Sequence, residues 1–322
     1  MLNRREFLTT TAAVGLAAAF PFGALAQDAP QIQLFVPAAP GGGWDQTART
    51  MEQVLRKESL ISGAQVTNVP GAGGAVGLPQ FVNQWNARPN ALMVAGMVMV
   101  GAILTNKSPN NLTQVTPIAR LTGEFEALVV PAASPFQTVA DFVAALKADP
   151  AKVPVAGGSA GGSDHILFGL IAKTVGVPAT SLSYVPFAGG GEALAALLGN
   201  QVAAGISGYG EFAEQVKAGT LRLLAISADK RLEGIDAPTL KEAGVDVELF
   251  NWRGVFAPPG VSDADKAAMI DLVTKMANSA SWQEELKNRN WTSILLTGDD
   301  FGKFVAEDTT RVEAILKDLG LA

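Results

Sequence analysis

Four glycine-rich turns constrain what this chain can fold into, because each stands where a strand-like run gives way to a helix-like one. The first is Val36-Pro37-Ala38-Ala39-Pro40-Gly41-Gly42-Gly43-Trp44-Asp45, entered from the strand-like Gln31 to Val36 and followed by an amphipathic helix. The others are Pro70-Gly71-Ala72-Gly73-Gly74, Gly157-Gly158-Ser159-Ala160-Gly161-Gly162-Ser163-Asp164 and Ala188-Gly189-Gly190-Gly191-Glu192. A glycine turn at a helix start lets backbone N–H groups point outward, where the helix macrodipole favours an anion. One such loop could be only a turn. Four in strand-to-helix positions predict a place where backbone holds negative charge.

Strands and helices alternate along most of the chain, which predicts parallel sheets with helices on both faces. The expected series runs from strand Ile32–Val36 and helix Trp44–Glu58 to strand Ala64–Asn68, helix Val76–Trp85 and strand Ala91–Met97. Extended segments at Thr116–Leu121 and Ala127–Val130 precede Pro131 and Pro135. A second series follows: helix Val139–Lys147, strand Val153–Ala156, helix Asp164–Val175, strand Ser181–Val185 and helix Glu192–Leu198. Strand Val202–Ile206, helix Glu211–Ala218 and strand Leu221–Ile226 complete it. Capping boxes at Ser262 and Ser281 then open helices, and the last helix begins near Thr297. This order predicts two α/β lobes, residues 27–127 with 252–322 and residues 128–251, with chain crossings near Glu126–Val130 and Phe250–Gly254. Loops at the carboxyl ends of parallel strands would face each other across the cleft.

The first residues read as an address. Arg4-Arg5-Glu6-Phe7-Leu8, the apolar stretch to Leu25 and the small-x-small site Ala24-Leu25-Ala26 predict a twin-arginine signal at residues 1–26, cleaved before Gln27, and hence a periplasmic protein. The full chain carries a net charge of −6; losing Arg4, Arg5 and Glu6 makes it −7. Such a balance argues against nucleic acid. With no cysteine and one histidine there are no disulfides and no Cys-based metal sites. The apolar run Ala91–Leu104 is too short to span a bilayer.

Two motif matches point to enzymes. Gly157-Gly-Ser159-Ala-Gly161 fits a nucleophile elbow, but the one histidine, His165, lies six residues after Ser159 and cannot arrive from a separate loop as the base. Gly208-Tyr-Gly210-Glu-Phe-Ala213 fits a dinucleotide fingerprint with Asp229 beyond the next strand, which makes an exported dinucleotide-dependent oxidoreductase the alternative reading. It leaves the other glycine loops unexplained. The expectation is a binding protein, not an enzyme, with no cofactor and no metal.

Several motifs then occur in order: Pro40-Gly-Gly-Gly-Trp-Asp45, Asn68-Val-Pro-Gly-Ala-Gly-Gly74, Gly158-Ser-Ala-Gly-Gly-Ser-Asp-His165, Tyr184-Val-Pro-Phe-Ala-Gly-Gly-Gly191, Pro238-Thr-Leu-Lys-Glu-Ala-Gly244 and Asn251-Trp-Arg-Gly254. Together they resemble the extracytoplasmic solute receptors of tripartite tricarboxylate transporters, the Bug-type binding proteins. The resemblance covers essentially the whole chain after residue 26. It implies a type II periplasmic binding fold, a small di- or tricarboxylate ligand of citrate-like kind, and delivery to a permease with one large and one small membrane subunit; a monomer is expected. It places Ala39, Gly41, Gly42 and Asp45 in the first-lobe loop and Ser159, Gly162, Ser163 and His165 in the facing loop. Phe187, Ala188, Gly189, Ser207 and Tyr209 would line the same cleft. Trp44 is read as either a wall of the site or a core anchor, and Arg253 as either a cation for a third carboxylate or a hinge residue paired with a surface acid.

Overall fold

A computed structural model describes residues 29–322; the expected signal segment and cleavage site lie outside them. Strand β1 (Gln31–Val36) leads into α1 (Gly43–Lys57), β2 (Gly63–Asn68), α2 (Gly77–Gln84), β3 (Ala91–Gly96) and α3 (Met97–Thr105). The long β4 (Thr116–Pro131) is followed by α4 (Val139–Ala148), β5 (Val155–Gly157), α5 (Ser163–Thr174), β6 (Tyr184–Pro186), α6 (Gly190–Leu198), β7 (Ala204–Gly208), α7 (Tyr209–Lys217) and β8 (Leu221–Ile226). The chain returns through β9 (Phe250–Ala257) and ends with α8 (Asp263–Ala277), α9 (Ala280–Arg289), β10 (Thr292–Thr297) and α10 (Gly298–Asp318).

Strand β4 organises the molecule. Its first part, Thr116–Phe125, pairs antiparallel with β9, and β10 lies on its other side. From Glu126 onward it pairs antiparallel with β7 and β8 instead. The sheet on one side of this change runs β2-β1-β3-β9-β4; on the other, β4-β7-β5-β6. Among the strands of the described residues, parallel pairing joins β1 with β2 and β3, and β5 with β6 and β7. The expectation of wholly parallel sheets is thus corrected: strands that cross between the two halves have to run against their neighbours. The two expected extended segments around residues 116–130 are one continuous strand.

Other departures have local causes. The run Ala91–Leu104 contains a strand and then helix α3, whose apolar residues are buried nearly all round, so it shows no amphipathic period. The box expected at Ser281 is displaced: Ser279 caps α9 by accepting the Trp282 N–H at 3.1 Å, and Ser281 lies inside the helix. Strand β10 was not expected; its side chains are partly exposed and its partner β4 is far away in sequence. Helix α10 packs on α3 and β4. Its buried Asp308 accepts the Trp252 Nε1–H at 2.7 Å, tying the C-terminal helix to β9.

Candidate functional site: a glycine-walled cleft with buried acids

Five helices begin at one cavity between the two halves of the sheet. Helices α1, α3, α5, α6 and α7 have Gly42, Gly96, Gly162, Gly189 and Gly208 at their N-caps, so no N-cap side chain takes their first N–H groups; in α5 the Asp164 carboxylate draws on N–H groups of its own first turn. Each places a residue of its first turn or cap on the cavity wall: Gly43, Val98, Ser163, Gly190 and Glu211. A helix N-terminus is equivalent to about half a positive charge, so five together amount to about +2.5. The cavity has a volume of about 60 Å³, room for about four to six water-sized groups.

The loops reach this position because glycines let backbones approach. A Cβ on Gly96 would collide with the Trp252 carbonyl, and one on Gly189 would lie 3.3 Å from the Ala39 methyl. A Cβ on Gly101 of α3 would collide with the Gly161 carbonyl. The second glycine loop contributes Gly73, whose added Cβ would sit 3.0 Å from that of Ser159. Three of the loops share a brace, in which a first-turn side chain accepts an N–H four residues back. Gly41 donates to Asp45 at 2.9 Å, Gly161 to His165 Nδ1 at 3.0 Å, and Ala188 to Glu192 at 3.1 Å.

These contacts show where each expected residue stands. Gly42, Trp44, Ser163, Ala188, Gly189, Ser207 and Arg253 line the cavity. Trp44 is both wall and anchor: it is buried, and its ring lies under the second glycine loop beside Gly74. Ala39 packs against Gly189, and Gly41 is exposed with φ +86°. Asp45 sits beneath its loop, accepting also from Arg49 at 2.9 Å and from Asn68 at 3.0 Å. Burial would raise its pKa, but those bonds hold it below the ordinary carboxylate range. Ser159 and Gly162 are buried behind the cavity wall. His165 stacks on Tyr184 with ring centroids 4.0 Å apart, and burial lowers its pKa to about 4, so it is neutral at pH 7. Phe187 and Tyr209 pack against the apolar cluster under α6 and α7.

Neither enzyme motif acquires its geometry. His165 makes its bond to the Gly161 N–H and none to Ser159, whose buried hydroxyl has no partner among the described residues. At the Gly208 turn, the Glu124 carboxylate fills the space a Cβ would take, so a pyrophosphate cannot approach that backbone. Moreover β4 lies between β7 and β8, so they do not form the adjacent pair of a dinucleotide βαβ unit.

What the residue patterns missed is a set of buried acids. Glu124 and Glu126, two apart on β4, face the same way; Glu126, Asp164 and Glu211 line the cavity, while Glu124 packs behind Gly208. Among the described residues, one cation pairs with them. Arg253 is buried, pairs with Glu124, and lies 3.6 Å from Glu211. Its partners are thus buried acids, not a surface acid. Burial pushes Asp164 up to about 6, although the Gly158 N–H and Tyr184 hydroxyl favour its charged form. Burial likewise raises Glu211 to about 7, against the pull of Arg253, and raises Glu126 well above the usual range. The Glu-x-Glu that leads into the apolar run Ala127–Val130 was the signal available in the sequence.

Comparisons with known proteins agree with this architecture. Residues 47–321 match the profile of the tripartite tricarboxylate transporter family receptor. The UPF0065 protein in the gbd 5′ region of Cupriavidus necator is 30% identical, the match covering 100% of this chain and 99% of that one. Among solved structures, MatC from Rhodopseudomonas palustris with bound malate superposes with a TM-score of 0.78 at 23% identity, covering 92% of this chain and all of that one. R. palustris Rpa4515 with adipate gives 0.80 at 22% identity, covering 90% and 97%. The chain therefore has the periplasmic binding protein fold and belongs to the tripartite tricarboxylate transporter receptor family, as a solute-binding receptor.

Proposed function

We propose that the chain captures a small di- or tricarboxylate in the cleft between two lobes, residues 27–127 with 252–322 and residues 128–251, and delivers it in the periplasm to the membrane subunits of a tripartite tricarboxylate transporter. The observation that carries the reading is the convergence of five uncapped, glycine-started helix N-termini on one cavity. The change of partners along β4 after Phe125 supports the lobe boundary. A hydrogen bond to a charged group contributes about 1.5–3 kcal/mol, and a micromolar complex needs about 8 kcal/mol. Two carboxylates with three N–H donors each, at the upper end of that range, contribute about 18 kcal/mol, which leaves about 8 kcal/mol after an ordering cost of about 10 kcal/mol. Residues Gly42, Gly43, Ser163, Gly189 and Gly190 would supply the donors, Trp44 an apolar wall and Arg253 a cation. The cavity's small volume favours compact members of the class. The ligands in the MatC and Rpa4515 structures, malate and adipate, are of this kind.

Thermal melting with malate, succinate, adipate and citrate tests the proposal. A solute at 100 times its Kd stabilises the folded chain by about 2.7 kcal/mol, so at least one acid should raise Tm at millimolar concentration. No shift with any of them overturns the reading.

A further inference from the structure

A second cavity lies away from the cleft, in the angle between α3 and α10. Helix α3 turns Val100, Ile103, Leu104 and Lys107 to it, the i, i+3, i+4, i+7 set of one helix face. Helix α10 repeats that spacing from Gly302 to Thr309. Phe256 of β9 and Val115, just before β4, are buried and complete the wall. The cavity has a volume of about 670 Å³, against about 60 Å³ for the cleft, and the two share no lining residue.

The lining separates a small solute from a protein partner. Val100, Ile103, Leu112, Val115, Phe256 and Val305 are each 8% exposed or less. A face built to dock a protein presents large apolar side chains to solvent. Among the described residues the exposed ones are Val76 and Leu198, and neither lines this cavity. Here the apolar groups are turned into a hollow. Side-chain packing leaves few voids larger than a water, whereas pockets for small molecules run to several hundred Å³ with mostly apolar walls and a few polar groups.

The polar groups of the wall come mainly from one stretch, residues 107–113. Most are engaged locally: Ser108 Oγ accepts the Asn110 N–H at 3.3 Å, and Asn111 Oδ1 accepts the Thr113 N–H at 2.9 Å and hydroxyl at 2.6 Å. On α10, the Thr309 hydroxyl donates to the Val305 carbonyl at 2.7 Å. Lys107 differs. It is the one charged residue on the wall, it is exposed, and the ion pairs of the described residues do not include it. Its backbone has φ +50°, where glycine or asparagine is easier to place than lysine.

We propose that this cavity is a second ligand site, for an amphiphile with one negative head and an apolar chain, of the medium-chain alkanoate class. The chain lies between α3 and α10, and the carboxylate meets Lys107. The proposal does not depend on which solute the cleft takes.

Calorimetry on the full chain with decanoate, kept below its micelle-forming concentration, tests it, with decanol as the uncharged probe. One decanoate per chain is expected to bind. In Lys107→Glu, decanoate should weaken about tenfold relative to decanol, as one attraction is lost and one repulsion gained. Ala306→Phe puts a ring at an exposed position on the wall. It should weaken both probes at least about tenfold and leave binding in the cleft unchanged; Thr309→Phe serves should that variant not fold. A lysine that served only the C-terminal dipole of α3 would change stability and leave the decanoate-to-decanol ratio as it was. That result overturns the proposal. So does failure of decanoate to bind, full binding in the ring-filled variants, or competition between decanoate and a solute of the cleft. A dimer in sedimentation that Ala306→Phe abolishes would assign the cavity to a second copy of the chain and overturn it as well.

Discussion

Helices α4, α8 and α9 begin at or near the surface, and each starts with a hydroxyl residue, Thr138, Ser262 or Ser279, that accepts a backbone N–H of its first turn. Helices α1, α3, α5, α6 and α7 begin at the cleft, and each starts with glycine and no side-chain cap. A cap satisfies a helix start locally and adds about 1 kcal/mol of stability. A bare start leaves its donors for something else. The difference teaches that the cleft is held together by charge and close backbone contact at some cost in local stability, while α4, α8 and α9 are each stabilised locally by their caps.

The strongest way to break this comparison is to remove the cleft's cation. Arg253→Gln leaves Glu124 and Glu211 buried without it, and should destabilise the chain by about 3–5 kcal/mol, read by chemical denaturation. Removing an acid should act in the opposite sense. Glu126→Gln spares the chain a buried carboxylate and should stabilise the empty protein by about 1–3 kcal/mol at pH 7.5.

The same groups set a pH dependence. Asp164, Glu211 and Glu126 have raised pKa values in the folded chain, so the stability they contribute is full below the unfolded carboxyl pKa near 4 and is lost as pH rises through about 6 and about 7. His165 opposes this. Its pKa is lowered to about 4, so its contribution is present above about 6.5 and is lost as pH falls. Three acids outweigh one histidine. The Tm of the empty protein should therefore fall between pH 5 and 7.5, and Glu126→Gln should flatten that slope.

Smaller effects sharpen the contrast. Thr138→Ala or Ser262→Ala should cost about 0.5–2 kcal/mol and leave ligand affinity unchanged. Gly42→Ser supplies the cap that α1 lacks, at a backbone φ of −76° that serine adopts readily. It should change stability by only a few tenths of a kcal/mol, yet weaken binding about tenfold, because the new hydroxyl takes an N–H that the solute would use. Unchanged affinity in Gly42→Ser would show that the α1 terminus does not serve the solute.

How much of this was legible in the sequence follows from which interactions are local. The glycine turns and the alternation of elements are local patterns, and they led to the loops that meet at the cavity. The braces were half legible. Asp45 and His165 stand where the motifs drew attention, but their bonds to Gly41 and Gly161 hold the loops in shape from behind the wall. Glu124 and Glu126 were not legible as site residues, because their section of chain reads as a crossing, and nothing local shows that Asp164, Glu211 and Asn251 arrive from other elements to meet them. Arg253 was noticed, but its burial against Glu124 depends on β9 pairing with β4 across more than a hundred residues.

An amide NMR titration with the tightest-binding solute of the tested acids measures the central claim most directly. If bare helix starts hold the carboxylate, the N–H resonances of Gly42, Gly43, Ser163, Gly189 and Gly190 should shift downfield together and saturate with one Kd, while those of the capped starts at Val139, Asp263 and Ala280 stay in place. Saturable binding that leaves the glycine amides unmoved, or that shifts capped and bare starts alike, would contradict the account.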